Sequence, residues 1–149
     1  MTTESSKTLA LDFLQHHLAS DQWILDNVHD DFEMSYEHDP GTFPRAGMPP
    51  LSKANLRSFG ETARAIWGTG EGAVRQTPYG LVIAEGDHVA VQVFVTGTTP
   101  GGKQLNNRTA FFFEIKDGQV HRVRLHEDTA YIMKNWGDEV EDLDDNRVE

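Results

Sequence analysis

Tyr36, His38 and Asp39 bring a phenol, an imidazole and a carboxylate into one short segment. Such a set can move protons: an imidazole or carboxylate takes one from a C–H beside a carbonyl, and a phenol orients the carbonyl oxygen. The segment Phe32-Glu-Met-Ser-Tyr-Glu-His38 alternates, which predicts a half-buried strand with Phe32, Met34, Tyr36 and His38 on one face. Strict alternation turns Asp39 away, unless a bulge or the strand end brings it back. Each residue also has a plain structural reading. His38 can be a satisfied core histidine, Asp39 before Pro40 can start a turn, and Tyr36 can be a packing aromatic with a bonded hydroxyl. Arg108 can hold a carboxylate or oxyanion, or form a surface ion pair.

The remaining clusters carry less chemistry. His126-Glu127-Asp128 looks like a ligand set, but adjacent strand residues point to opposite faces and do not converge. His16 and His17 diverge by about a quarter turn on a helix. No metal site is expected, and Asp128 or Thr129 reads as the cap of a helical segment from Ala130 to Trp136. The chain lacks cysteine, so it has no thiolate ligand, disulfide or cysteine nucleophile. It carries no glycine-rich phosphate loop, Ser-His-Asp arrangement or dinucleotide fingerprint, and no cofactor is expected.

Positioning these side chains falls to a sheet and its helical cover. His88–Thr98, Asn107–Ile115 and Gln119–Thr129 are strand-like runs, the last two joined by the turn signal Lys116-Asp-Gly118, and they predict an antiparallel meander. Residues 73–84 predict a strand before it. Ser5 or Ser6 can cap a helix running to about Ser20, with Leu9, Phe13, Leu14 and Leu18 as its apolar stripe. Asp21 reads as the cap of a short helix through Asn27, and Ser52 as the cap of a third through about Trp67. The order predicts an α+β domain, a curved antiparallel sheet wrapped around N-terminal helices.

A chain of 149 residues is one domain, able to bury about 68–70% of its unfolded surface. The domain is expected over residues 1–136, with 137–149 an acidic, disordered tail. A net charge of −11 argues against a nucleic-acid partner, because phosphate binding is driven by clustered Lys and Arg. No apolar run approaches the ~20 residues that span a bilayer. The first residues lack the pattern of a secretory signal. A cytoplasmic location is therefore expected.

Ser20-Asp21-Gln22-Trp23, the stretch from Gly41 to Gly47, Asp117-Gly118-Gln119-Val120 and Asp128-Thr129, in this order and spacing, resemble the nuclear-transport-factor-like superfamily. Within it the likeness is to the SnoaL-like polyketide cyclases and ketosteroid isomerases, over roughly residues 6–136. The resemblance implies a cone-shaped pocket between curved sheet and helices, and homodimers through the outer sheet face. Asp39-Pro40 matches the dipeptide that carries the isomerase base. The oxyanion-hole positions fall on Phe13 and Ala110, neither of which donates a hydrogen bond. The positions of the limonene epoxide hydrolase pattern fall near Val93, Val95 and Leu125, all apolar, which excludes that activity. SnoaL-like chemistry asks least of the protein, one carboxylate or imidazole in an apolar pocket.

The expected function is a cofactor-free isomerase, cyclase or dehydratase acting on a hydrophobic carbonyl compound, with His38 and Asp39 carrying the proton and Tyr36 orienting the substrate. Phe13, Trp23, Trp67, Val93, Val95, Ala110, Phe112 and Leu125 are expected to line the pocket. The alternative is a non-catalytic ligand-binding or dimerisation module of the same fold.

Overall fold

The computed structural model describes residues 2–40 and 47–135. The stretch Gly41 to Ala46, most of one quoted motif, lies outside the described residues, as do Trp136 and the acidic tail. The described chain runs α1 (Thr3–His16), α2 (Asp21–Asn27), β1 (Val28–Tyr36), α3 (Lys53–Trp67), β2 (Arg75–Glu85), β3 (His88–Thr98), β4 (Gln104–Lys116) and β5 (Gln119–Glu127). A helical stretch over residues 129–135 follows.

Local chemistry sets the helix starts. Thr2 caps α1 by accepting from the Ser5 backbone N–H, and the Ser5 hydroxyl closes the box on the Thr2 N–H, so α1 begins ahead of the expected Ser5 or Ser6. It ends at His16 rather than Ser20, because Ser20 is itself the cap of α2 and accepts from Trp23 N–H. That role was expected of Asp21. The Asp21 carboxylate instead takes two hydrogen bonds from Arg57, at 2.7 and 3.1 Å, tying α2 to α3. The guanidinium holds the Asp21 carboxyl below its usual range. Ser52 caps α3 as expected. Asp128 Oδ1 accepts from Tyr131 N–H and starts the final helical residues.

The five strands form one sheet in the order β1-β5-β4-β3-β2. The meander from β2 to β5 is antiparallel, with positive φ at both Asp117 and Gly118 in its last turn, as a tight right-twisted hairpin requires. β1, however, joins β5 in parallel, so the sheet is mixed and not wholly antiparallel. The partner of β1 lies across the whole length of the meander, and no local turn dictates its direction. Register shifts in the β1–β5, β2–β3 and β4–β5 pairings bend the sheet. One of them brackets Gly80, whose φ of 70° suits glycine. The β1 edge is covered by a bridge between Met34 and Leu51, and Pro78 stands in edge strand β2.

The concave face is the core. Val89, Val91, Val93 and Val95 of β3 lie opposite Phe113, Phe111, Thr109 and Asn107 of β4, and all eight are buried. Phe13 of α1 projects into this face. Its ring centroid lies 4.1 Å from His17, 5.5 Å from Phe113 and 6.0 Å from Trp23. Ala110 and Phe112 occupy the alternate positions on the convex face, where Phe112 is 45% exposed. This corrects their expected place in the pocket: β4 pairs with β3 so that the odd-numbered residues of both strands point inward. Phe111→Ala should therefore cost about 3–5 kcal/mol and Phe112→Ala less than about 1 kcal/mol. Urea unfolding measures both; the reverse order would invert the face assignment.

Candidate active site

An internal cavity of about 50 Å³ lies between α1, α3, the concave sheet face and the helical residues 129–135. Its apolar wall includes Leu18, Met34, Phe59, Val95, Leu105 and Leu125. Set into that wall are six side chains with polar atoms: His17, Tyr36, Trp67, Gln76, Asn107 and Glu127.

His17 is placed by the helical stripe that carries Ala10, Phe13 and Leu14 inward. Its ring is fully buried and stacks on Phe13. Nδ1 lies 2.7 Å from the Phe13 carbonyl. A carbonyl only accepts, so Nδ1 carries the hydrogen and the neutral ring keeps a bare lone pair on Nε2. Nε2 is buried and has no hydrogen-bond partner among the described residues. Burial lowers the pKa of His17 to about 4, with the Phe13 hydrogen bond opposing the shift. At neutral pH the cavity therefore meets an uncharged acceptor.

Asn107 stands across the sheet from Val95, only 1% exposed. Neither its amide oxygen nor its amide nitrogen has a partner among the described residues, and the same holds for Gln76 Oε1. A buried polar atom left unpaired costs about 1–3 kcal/mol, so water or a guest molecule is needed to satisfy these groups. Thr109, the next inward position, is not in this class, because its hydroxyl donates to Val93 O at 2.9 Å.

The segment from Tyr36 to Asp39 is divided by the strand end. Tyr36 lines the cavity. His38 lies beyond its wall, 6.4 Å ring to ring from Tyr36, and its Nε2 accepts from the Glu127 backbone N–H at 3.0 Å. With Glu37 N–H donating to Leu125 O at 2.8 Å, this bond extends the β1–β5 pairing past the end of β1. Asp39 is exposed and outside the cavity, as alternation dictates.

Trp67, Val95 and Leu125 line the cavity. Phe13 and Val93 are buried in the core behind it, and Trp23 packs on Phe13 and His16. Arg108 faces outward, with its guanidinium 5.4 Å from the Phe94 ring centroid. His17 and Glu127 were weighed in the sequence only as metal ligands, and Gln76 and Asn107 were not singled out. For His17 a signal existed, since it continues the apolar spacing of α1. For Asn107 the signal was alternation with Phe111 and Phe113, usable only once the inward face is known. Among the described residues no group of three or more His, Asp or Glu could hold a metal ion, and no helix is long and apolar enough to cross a membrane.

A curved sheet closed by helices around a polar-studded cavity is the cone-shaped α+β architecture of NTF2-like proteins. The SnoaL-like domain matches residues 15–123, and the chain belongs to that family. Solved structures agree on the fold. PrhC from Penicillium brasilianum superposes with a TM-score of 0.71 at 15% identity, covering 90% of this chain and 87% of that one. A SnoaL-like protein from Jannaschia sp. CCS1, provisionally assigned as a polyketide cyclase, gives 0.70 at 15% identity, with 91% and 94% covered. An NTF2-like protein from Burkholderia xenovorans gives 0.68 at 18% identity, with 91% and 98% covered. No curated protein shows significant sequence similarity.

The buried imidazole ties stability to pH. Because folding lowers the His17 pKa from 6.5 to about 4, the unfolded chain takes up the proton first as pH falls. The contribution is complete above pH 6.5 and is lost as pH falls toward 4, amounting to about 3 kcal/mol. Urea titrations at pH 7 and pH 4 should show wild type losing that much more stability than His17→Leu. Equal losses in the two proteins would remove His17 as the cause.

Proposed function

We propose that this protein binds a hydrophobic carbonyl compound in its internal cavity and catalyses a proton transfer on it without a cofactor, as an isomerase, cyclase or dehydratase would. The observation that carries this reading is the presence, in one apolar cavity, of a bare imidazole nitrogen on His17 and an unpaired amide on Asn107. One accepts a proton and the other donates a hydrogen bond, the two needs of enolate chemistry. His17 Nε2 takes the proton from a carbon beside the carbonyl. Asn107 Nδ2 stabilises the oxygen as charge develops there, and Tyr36 orients the same oxygen. The Jannaschia protein, provisionally assigned as a polyketide cyclase, favours this class of chemistry.

At about 50 Å³ the cavity holds one or two water molecules, each taking roughly 30 Å³ in the liquid. A substrate therefore enters by displacing wall side chains. Phe59 and Val74, both only half-buried, are the ones to move.

The probe is 2-tetralone, whose benzylic C–H lies next to the carbonyl. Deuterium exchange at that carbon, followed by NMR in D₂O, should be accelerated by the wild-type protein. The enzyme-dependent rate should be lost as pH falls through about 4, where His17 protonates. Asn107→Leu should lower it by about 10²-fold, and His17→Leu should abolish it while circular dichroism stays unchanged. Saturable binding of 2-tetralone with no exchange above background would instead support the non-catalytic module.

We also propose that a second copy of the chain covers the convex sheet face. Phe112 and Ile83, 45% and 59% exposed, flank Ala90 in a surface depression of about 400 Å³ that also carries Glu37, Glu114, Arg122 and Arg124. An apolar centre with both signs of charge around it can meet itself across a two-fold axis. Sedimentation should show a dimer for wild type and a monomer for Phe112→Glu. A monomeric wild type at tens of micromolar would end this proposal.

A further inference from the structure

Among the described residues, one concave surface is larger than the internal cavity. A groove of about 460 Å³ runs between the C-terminal half of α1, the end of α3 and the start of β2. Its volume alone is in the range of small-molecule sites, about 300–1,000 Å³. Leu11 and Leu14 of α1, Leu18 just past its end, Ala63 of α3, Val74 and Pro78 of β2 supply its apolar lining.

The charge of this groove runs against that of the chain. The sequence has 24 Asp and Glu against 13 Lys and Arg, yet the groove lining contains two arginines, Arg64 and Arg75, and no carboxylate. Arg64 Nη1 donates to the Leu18 carbonyl at 2.7 Å, and Arg75 Nη2 donates to the Gly70 carbonyl at 3.1 Å. Each bond fixes one corner of a planar fork and leaves other N–H donors for an anion. Asp21 lies within reach of the Arg64 charge, and its carboxylate is already bonded to Arg57.

We propose that this groove is a binding site for an amphipathic carboxylate, its hydrocarbon laid along Leu14, Leu18 and Val74 and its carboxylate held by Arg75 and Arg64. The site is independent of the chemistry assigned to the internal cavity, although Leu18, Val74 and Gln76 line both spaces. Apolar length and negative charge are then separate determinants of affinity. Each methylene contributes about 0.8 kcal/mol when buried, so decanoate should bind on the order of tenfold tighter than octanoate. A headgroup without negative charge leaves the guanidiniums unmatched.

Isothermal titration of the full chain with decanoate, octanoate, decanol and decyltrimethylammonium tests this below their micellar concentrations. Decanoate should bind at least tenfold tighter than decanol, with no measurable binding of decyltrimethylammonium. Arg75→Gln should weaken decanoate about tenfold at an unchanged Tm, and Arg75→Glu should reverse the charge preference. Thr77→Trp, which fills the groove from β2, should abolish binding, whereas Asn107→Leu in the internal cavity should not alter it. Four results would overturn the proposal: no decanoate binding at millimolar concentration, equal binding of decanol, binding lost in Asn107→Leu but kept in Arg75→Gln, or binding that appears only after residues 136–149 are removed. The last would make the acidic C-terminal segment the occupant.

Discussion

The pairing of β3 with β4 is the constraint on which the rest of the molecule depends. It runs without interruption from His88 opposite Glu114 to Thr98 opposite Gln104. Its register is closed by the turn in which Thr99 N–H donates to Lys103 O and Gly102 N–H donates to Thr99 O. A slip of one residue would exchange the inward row Asn107, Thr109, Phe111 and Phe113 for Arg108, Ala110, Phe112 and Glu114. That exchange would put an arginine and a glutamate into the core, at a cost no apolar gain offsets. The turn and the alternation thus select the same register, and that register delivers the Asn107 amide to the cavity.

The other wall depends on a close helix contact. A Cβ on Gly60 of α3 would stand 3.4 Å from the His17 carbonyl and 3.1 Å from the Arg64 guanidinium, so α3 passes close to the end of α1. Arg64 uses that approach to satisfy the Leu18 carbonyl, and its positive charge suits the negative end of a helix. Arg64 of α3 thus links the end of α1 to the neighbouring groove.

Much of the architecture was legible in the residues. Ser52 as a cap, the span from Asp21 to Asn27 and the strand from His88 to Thr98 follow from local chemistry, and the structure has them at those positions. What local chemistry does not contain is pairing over distance. The parallel junction of β1 with β5 and the inward parity of β4 both rest on partners that sequence patterns do not specify, and the misplacement of Ala110 and Phe112 followed from that. The candidate site was half legible for the same reason. Tyr36, Trp67, Val95 and Leu125 have type and alternation to announce them, whereas His17 reads as one of a pair of helix histidines until α3 is laid over it. Gln76 and Asn107 are ordinary strand amides until their faces are known.

The electrostatics of the cavity also limit what the proposed proton transfer can act on. A base whose conjugate acid has a pKa of about 4 is fully deprotonated at neutral pH but has a weak pull on a proton, since catalysis by a base is strongest when its pKa lies near the working pH. Such a base acts only on carbon already acidified by its own neighbours, by a second carbonyl or an aryl ring beside the first. The apolar wall reinforces this limit, because it stabilises a delocalised enolate better than a localised charge, and Asn107 is a neutral donor with one oxygen to reach. A ligand that brought an anionic group near His17 would raise the imidazole pKa and strengthen the base. In the apolar cavity such a charge would face a desolvation cost, whereas the guanidiniums lie beyond the shared wall of Leu18, Val74 and Gln76. In the proposed reaction the reactivity is therefore left to the substrate, while the protein supplies an apolar wall, an acceptor on His17 and a donor placed by the β3–β4 register.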